Sequence, residues 1–164
     1  MRLPPTRYAG TVDRLGSVDV SAVAAWLTAI PLAAWPQQSR LADGQIRPAM
    51  VNDLTWQGFG SATAALVSAL AAFVDGGRAG QQLLSVVMPG QGIPPHRDRQ
   101  GPDWWARLHV PLTTDPASAF VVEGVAHHLE PGWVYAVNTE VEHSVTNAAG
   151  LVPRMHLMVD WGGW

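Results

Sequence analysis

In the run Pro94-Pro95-His96-Arg97-Asp98, a histidine and an aspartate lie two residues apart. On an extended strand that spacing sends both side chains to one face. A neutral imidazole beside a carboxylate supplies two of the three ligands of a 2-His-1-carboxylate facial triad, the geometry associated with non-haem Fe(II) oxygenases. Taken alone, a His-x-Asp reads better as a solvated polar turn. Its context raises it, because Pro89-Gly90-Gln91-Gly92 delivers the motif from a tight turn into a strand. The triad needs a second histidine from a distant strand, and His143 is the candidate. It opens the run His143-Ser144-Val145-Thr146 just after a polar loop; without partners it would read as a surface histidine.

Arg154 shifts that balance. It follows His143 by eleven residues, room for the chain to turn at Asn147–Gly150 and return antiparallel beside His143. It begins Arg154-Met155-His156-Leu157-Met158-Val159-Asp160, where Arg154, His156 and Met158 share one face and Met155, Leu157 and Val159 the other. An arginine projecting from an otherwise apolar strand requires an anionic partner. A dicarboxylate gripped by the guanidinium fork would be one. Arg107-Leu108-His109 repeats the pattern on another strand. The structural alternative for these arginines is a buried ion pair with Asp98, Asp160 or Glu123.

The elements that must position these residues come from the rest of the 164-residue chain. With 48% hydrophobic and 14% charged residues it reads as one globular domain. Its first part, residues 1–80, is expected to be helical and residues 81–161 to form a β core. Residues 1–16 are expected to be a leading arm or an edge strand. Ser17 or Asp19 is placed to cap a helix through Val20, Val23, Leu27 and Ile30 that stops at Pro31. Trp35-Pro36 begins a loop, and Ile46–Leu54 reads as a short strand despite Pro48. A second helix is expected over Ser61–Val74, ended by Asp75-Gly76-Gly77. From Gln81 onward short β-branched or aromatic runs recur: Gln82–Met88, Ile93–Arg97, Trp105–Leu112, Phe120–Val122, Ala126–Leu129, Trp133–Val137, His143–Thr146 and Arg154–Trp161. Eight strands at this spacing predict a mainly β fold, a double-stranded β-helix or cupin-like jelly roll, with two N-terminal helices packed on the sheet.

Composition also excludes chemistry. All ten basic residues are arginine, so there is no Schiff-base lysine, and the absence of cysteine removes disulfides, thiolate nucleophiles, Fe–S clusters and zinc–cysteine sites. A metal must therefore be held by histidine and carboxylate. A net charge of −3 without a basic cluster argues against nucleic acid or an anionic membrane as partner. No signal-peptide run opens the chain, and its most apolar stretch, Ser61–Val74, is too short to span a bilayer. A soluble, cytoplasmic protein is expected. His127 and His128 are adjacent and must face opposite ways. Trp26 and Trp35 read as packing residues, Trp104 and Trp105 as either pocket wall or core, Asn138 and Asn147 as turn residues.

Residues 81–161, and more loosely the helices before them, resemble the aspartyl/asparaginyl β-hydroxylase family of Fe(II)- and 2-oxoglutarate-dependent dioxygenases. The resemblance rests on an ordered set: Ser85-Val86-Val87-Met88-Pro89-Gly90 leading to Pro95-His96, then Arg107-Leu108-His109, Pro131-Gly132-Trp133, Glu142-His143 and Arg154-Met155-His156-Leu157-Met158-Val159-Asp160. It implies a hydroxylase whose iron is bound by His96 and His143, with Asp98 completing the triad. Arg154 and Ser85 would hold the distal carboxylate of 2-oxoglutarate, with His156 beside them, and Arg107 with His109 the end nearer the metal; O2 is the further cosubstrate. Some members have glycine where this chain has Asp98. The aspartate makes it similar to the branch that includes bacterial proline cis-hydroxylases, so the expected substrate is an amino acid, free or in a short peptide or on a carrier. Apolar walls from Val87, Leu112, Val121, Val137 and Met158 would shield the site. The alternatives are a non-catalytic β-barrel module binding a small acid through Arg107 and Arg154, or a cupin metalloenzyme that does not use 2-oxoglutarate.

Overall fold

The computed structural model describes residues 1–30, 49–52 and 59–164. In chain order its elements are β1 (Val12–Ser17), α1 (Ser21–Thr28), β2 (Ala49–Asn52), α2 (Phe59–Ala69), β3 (Arg78–Val87), β4 (Gly92–His96), β5 (Trp104–Thr113), β6 (Ala119–Val122), β7 (Val125–His127), β8 (Trp133–Val137), β9 (His143–Thr146) and β10 (Arg154–Gly162). All eight strands expected after residue 81 form. The leading segment supplies an edge strand, and the run around Pro48 yields the short β2. The expected loop at Trp35-Pro36, and the packing of Trp35, lie outside the described residues.

The strands make two antiparallel sheets, one ordered β1-β8-β5-β10-β3-β2 and the other β4-β9-β6-β7. Period-two alternation gives the large sheet two different faces. Leu84, Val86, Ala106, Leu108, Val110, Ala136, Leu157 and Val159 point outward and bury themselves with Val23, Leu27, Phe59, Leu66 and Leu70 of the helical layer. The opposite face turns Val87, Tyr135 and Val137 toward Phe120, Val122 and Val145 of the small sheet. The fold is therefore the expected jelly roll with two helices packed on one sheet. Leu112 packs with the helix-side cluster, so the expectation that it walls the site fails, while Val87 and Val137 do sit between the sheets.

Local chemistry explains where elements begin and end. The Asp19 carboxylate accepts the Ser21 N–H at 2.8 Å at the entry to α1. After α2 a 3-10 turn, Leu70–Phe73, runs into Gly76 and Gly77, both at positive φ, where residues with a Cβ are disfavoured. Asn147 does more than serve a turn. Its buried amide donates to the carbonyls of Val87 and Val152, both at 2.9 Å, and its Oδ1 accepts the Ser118 hydroxyl. A Cβ on Gly150 would lie 1.8 Å from that Oδ1, so only glycine lets the chain pass.

The chain does not return beside His143 after the turn. It crosses to the large sheet, where β10 pairs with β3 and β5, while β9 stays with β4 and β6. Among the described residues no helix is long and apolar enough to cross a membrane.

Candidate active site

Pairing of β4 with β9 makes His96 and His143 cross-strand partners, with ring centroids 4.2 Å apart. Strand β4 ends at His96, and the next turn is pinned where the Asp98 N–H donates to the Thr139 carbonyl at 2.8 Å. The Asp98 carboxylate thereby lies 3.9 Å from Nε2 of His96 and 3.9 Å from Nε2 of His143. One donor atom from each of the three falls within 4.8 Å of the others, close enough to share a small cation.

The imidazoles are prepared for that role. Nδ1 of His96 lies 2.8 Å from the Pro94 carbonyl, and Nδ1 of His143 3.0 Å from that of Val141. A carbonyl only accepts, so each Nδ1 carries the proton and each Nε2 turns a lone pair toward Asp98. Burial is the main cause holding the His143 pKa below its ordinary value, which favours the neutral, ligating form. The set of two nitrogens and one carboxylate fits ferrous iron.

Arg107 sits behind Asp98. Its Nε and Nη2 donate to the two oxygens of Asp160 at 2.8 and 2.9 Å, and its Nη1 donates to Asp98 Oδ2. Burial opposes the charge on Arg107, yet the two carboxylates more than offset it, so its pKa is raised. Each of its three nitrogens already donates to a carboxylate. The expected contact between Arg107 and a cosubstrate therefore finds the guanidinium engaged by the buried ion pairs weighed as its alternative. Trp104 belongs to the same group: it is buried, and its indole N–H reaches Asp160 Oδ1 at 3.1 Å.

Arg154 is the opposite case. It is 2% exposed, and among the described residues no carboxylate lies within ion-pair distance of it. Burial alone brings its pKa down to about 9. Its one side-chain hydrogen bond among the described residues runs from Nη2 to Nδ1 of His156 at 3.0 Å. Arginine can only donate, so His156 Nδ1 accepts and the proton of that ring sits on Nε2. That Nε2, and both nitrogens of His109, are buried with no hydrogen-bond partner among the described residues. Burial, and after it the charge of Arg154, keep both imidazoles far below the ordinary histidine pKa and therefore neutral. Ser85 lies opposite His156 on β3 and is also buried. A guanidinium with no carboxylate partner among the described residues, an N–H with no acceptor among them and an adjacent hydroxyl are donors of the kind that suit an anion of carboxylate type.

Phe120 joins the two halves. Its ring is stacked 5.7 Å from His143, stands edge-on 5.2 Å from His109, and lies under the Arg154 guanidinium at 5.7 Å. The structure thus gathers His96, Asp98 and His143 at one end and Arg154, His156, His109 and Ser85 at the other. The sequence marks Phe120 only as part of a strand run, and reads Trp104 as either pocket wall or core. The signal for Phe120 was its place in a four-residue strand whose alternate positions face inward. His127 is half-buried and His128 exposed, and neither joins the triad.

Solved structures share this architecture. An oxidoreductase of the 2OG-Fe(II) oxygenase family from Burkholderia pseudomallei is 15% identical, with 99% of this chain and 96% of that chain covered at a TM-score of 0.61. A viral collagen prolyl hydroxylase from Paramecium bursaria Chlorella virus 1, solved with 2-oxoglutarate, is 10% identical over 95% and 98% of the two chains at a TM-score of 0.61. The non-haem α-ketoglutarate-dependent epimerase SnoN of nogalamycin biosynthesis reaches 0.67 at 17% identity, covering 93% of this chain and 77% of its own. At such identities the likeness speaks for the fold. Among curated proteins none matches the chain in sequence. The sequence pattern of the aspartyl/asparaginyl β-hydroxylases, however, runs through residues 58–162, well over half the chain, and the chain belongs to that family.

Proposed function

We propose that this protein is an Fe(II)- and 2-oxoglutarate-dependent dioxygenase that hydroxylates an unactivated C–H bond of an amino acid, free or carried in a short peptide or on a carrier protein. The observation that carries the reading is the pairing of a complete His96–Asp98–His143 triad with a buried arginine, Arg154, that has no carboxylate within ion-pair distance among the described residues. Bound iron, with 2-oxoglutarate and O2, supplies the oxidising power. The protein supplies placement. His96, Asp98 and His143 would hold the iron through two imidazole nitrogens and a carboxylate. Arg154 takes the distal carboxylate of the cosubstrate in its fork, Ser85 and the His156 N–H complete that grip, and His109 lies toward the metal-proximal end. Val87, Val137 and Phe120 keep water from this space.

The test measures ferrous iron and 2-oxoglutarate binding under anaerobic conditions, followed by a panel of amino acids and short peptides assayed by mass spectrometry for 2-oxoglutarate-coupled product. Asp98→Ala and His143→Ala are expected to lose iron. Arg154→Ala keeps iron and loses 2-oxoglutarate. A folded protein that takes up neither ligand would be a small-acid binder or other module, and turnover independent of 2-oxoglutarate would mark a different cupin-type metalloenzyme.

A further inference from the structure

Asp98 stands just past the end of β4, and its carboxylate is 27% exposed. Among the described residues its only side-chain hydrogen bond comes from Nη1 of Arg107. Arg107 is itself aimed by Asp160. The β10–β5 register sets Asp160 directly across from Arg107, and the two Asp160 oxygens hold the Nε and Nη2 edge of the guanidinium. The Trp104 indole N–H also donates to Asp160, at the same Oδ1 that accepts from Arg107 Nε. A fork fixed along one edge has a single direction left for Nη1, and that direction is Asp98.

From this chain of contacts we infer that Asp160, braced by Trp104, is a positioning residue for the metal centre, acting on Asp98 through Arg107. The inference rests on the metal-binding reading of the triad. Two consequences follow from the geometry. With Oδ2 accepting the Arg107 N–H, the plane of the Asp98 carboxylate is fixed, with Oδ1 toward His96 and Oδ2 toward His143. Asp160 also absorbs most of the guanidinium charge. Without it Arg107 would keep Asp98 as its sole carboxylate partner, compete harder for that oxygen, and present an unbalanced positive charge to an incoming cation. Loss of Asp160 therefore weakens metal binding even though Asp160 touches no metal.

The experiment titrates Co(II) into the full chain by calorimetry and by its visible ligand-field absorption, for the parent, Asp160→Asn and Trp104→Phe, with thermal unfolding of each metal-free protein alongside. Asp160→Asn is expected to bind Co(II) at least tenfold more weakly and to shift the ligand-field band. Trp104→Phe moves both in the same direction by a smaller amount, two- to fivefold in affinity. If Asp160→Asn folds and binds Co(II) within twofold of the parent with an unchanged band, Asp160 merely braces the sheet and the inference is overturned. An affinity loss that only tracks lost stability, with the band unmoved, overturns it as well. Should Asp160→Asn fail to fold, Trp104→Phe decides alone by the same criteria. A parent protein that takes up no Co(II) defeats the metal centre itself, and this inference with it.

Discussion

Two arginines two residues before a histidine, on neighbouring strands and facing the same interior, end in opposite electrostatic states. Arg107 donates to two carboxylates, whereas among the described residues the one side-chain hydrogen bond of Arg154 goes to a neutral imidazole. The motifs Arg107-Leu108-His109 and Arg154-Met155-His156 carry nothing that separates them; strand register does. Across the sheet from Arg107 stands Asp160, whereas across from Arg154 on β3 stands Val87. A buried charge whose neighbours supply its counter-ion is part of the scaffold. One whose neighbours withhold it calls for a charge brought from outside, the role proposed above for Arg154.

Removing each charge should then have opposite effects on the metal-free protein. Arg107→Met strands Asp160 in the interior and deprives Asp98 of its guide. The expected loss is about 3–5 kcal/mol, on the order of 10 °C in melting temperature for a chain of this size. Arg154→Met removes an uncompensated buried charge and puts an apolar side chain over Phe120, so the metal-free protein should become more stable, by about 1 kcal/mol or more. The same substitution should cost about 3 kcal/mol in 2-oxoglutarate binding, roughly a hundredfold in affinity, with Co(II) binding nearly unchanged. Denaturant titration and calorimetry read the two signs. Equal destabilisation by both substitutions would erase the distinction and make Arg154 a second scaffold residue.

Much of this arrangement was legible before any coordinates, and what was not has a common cause. Period-two alternation told that Arg107 and His109 share a face, and that Arg154, His156 and Met158 do so too, because that is a property of one strand. The eight strand runs were visible for the same local reason. The partners of Arg107 were not, because Asp160 is 53 residues away in sequence and only β10–β5 register brings it near; it stood merely as one of three possible counter-ions. The expectation that Arg154 returns beside His143 failed because a short turn and a crossing between sheets look alike in sequence. Buried Asn147 and the close approach of Gly150 make it a crossing. The Trp104 side chain was undecided between wall and core, and its indole N–H settles it as a support for Asp160.

The acceptor that Arg154 leans on is an imidazole, which takes up its proton near the ordinary histidine pKa once the chain unfolds, and this gives the stability of the fold a pH dependence. His109 and His156 are fully enclosed, and burial first, then the Arg154 charge, holds their pKa values well below the ordinary 6.5. In the unfolded chain both take up protons near that value, while in the folded protein they do not. Below pH 6.5 the unfolded state therefore binds more protons, and the stability of the metal-free protein falls as pH falls from there toward the depressed folded-state values; above it they contribute no slope. The expected slope reaches about 1.4 kcal/mol per pH unit for each histidine. His156→Phe should remove one share, so the stability difference between variant and parent is constant from pH 7 to 8 and swings in favour of the variant between pH 6.5 and 5. Unfolding titrations at half-unit intervals measure it. Parallel curves over the whole range would mean that His156 gains a proton without leaving the fold, and that Arg154 does not depend on its lone pair.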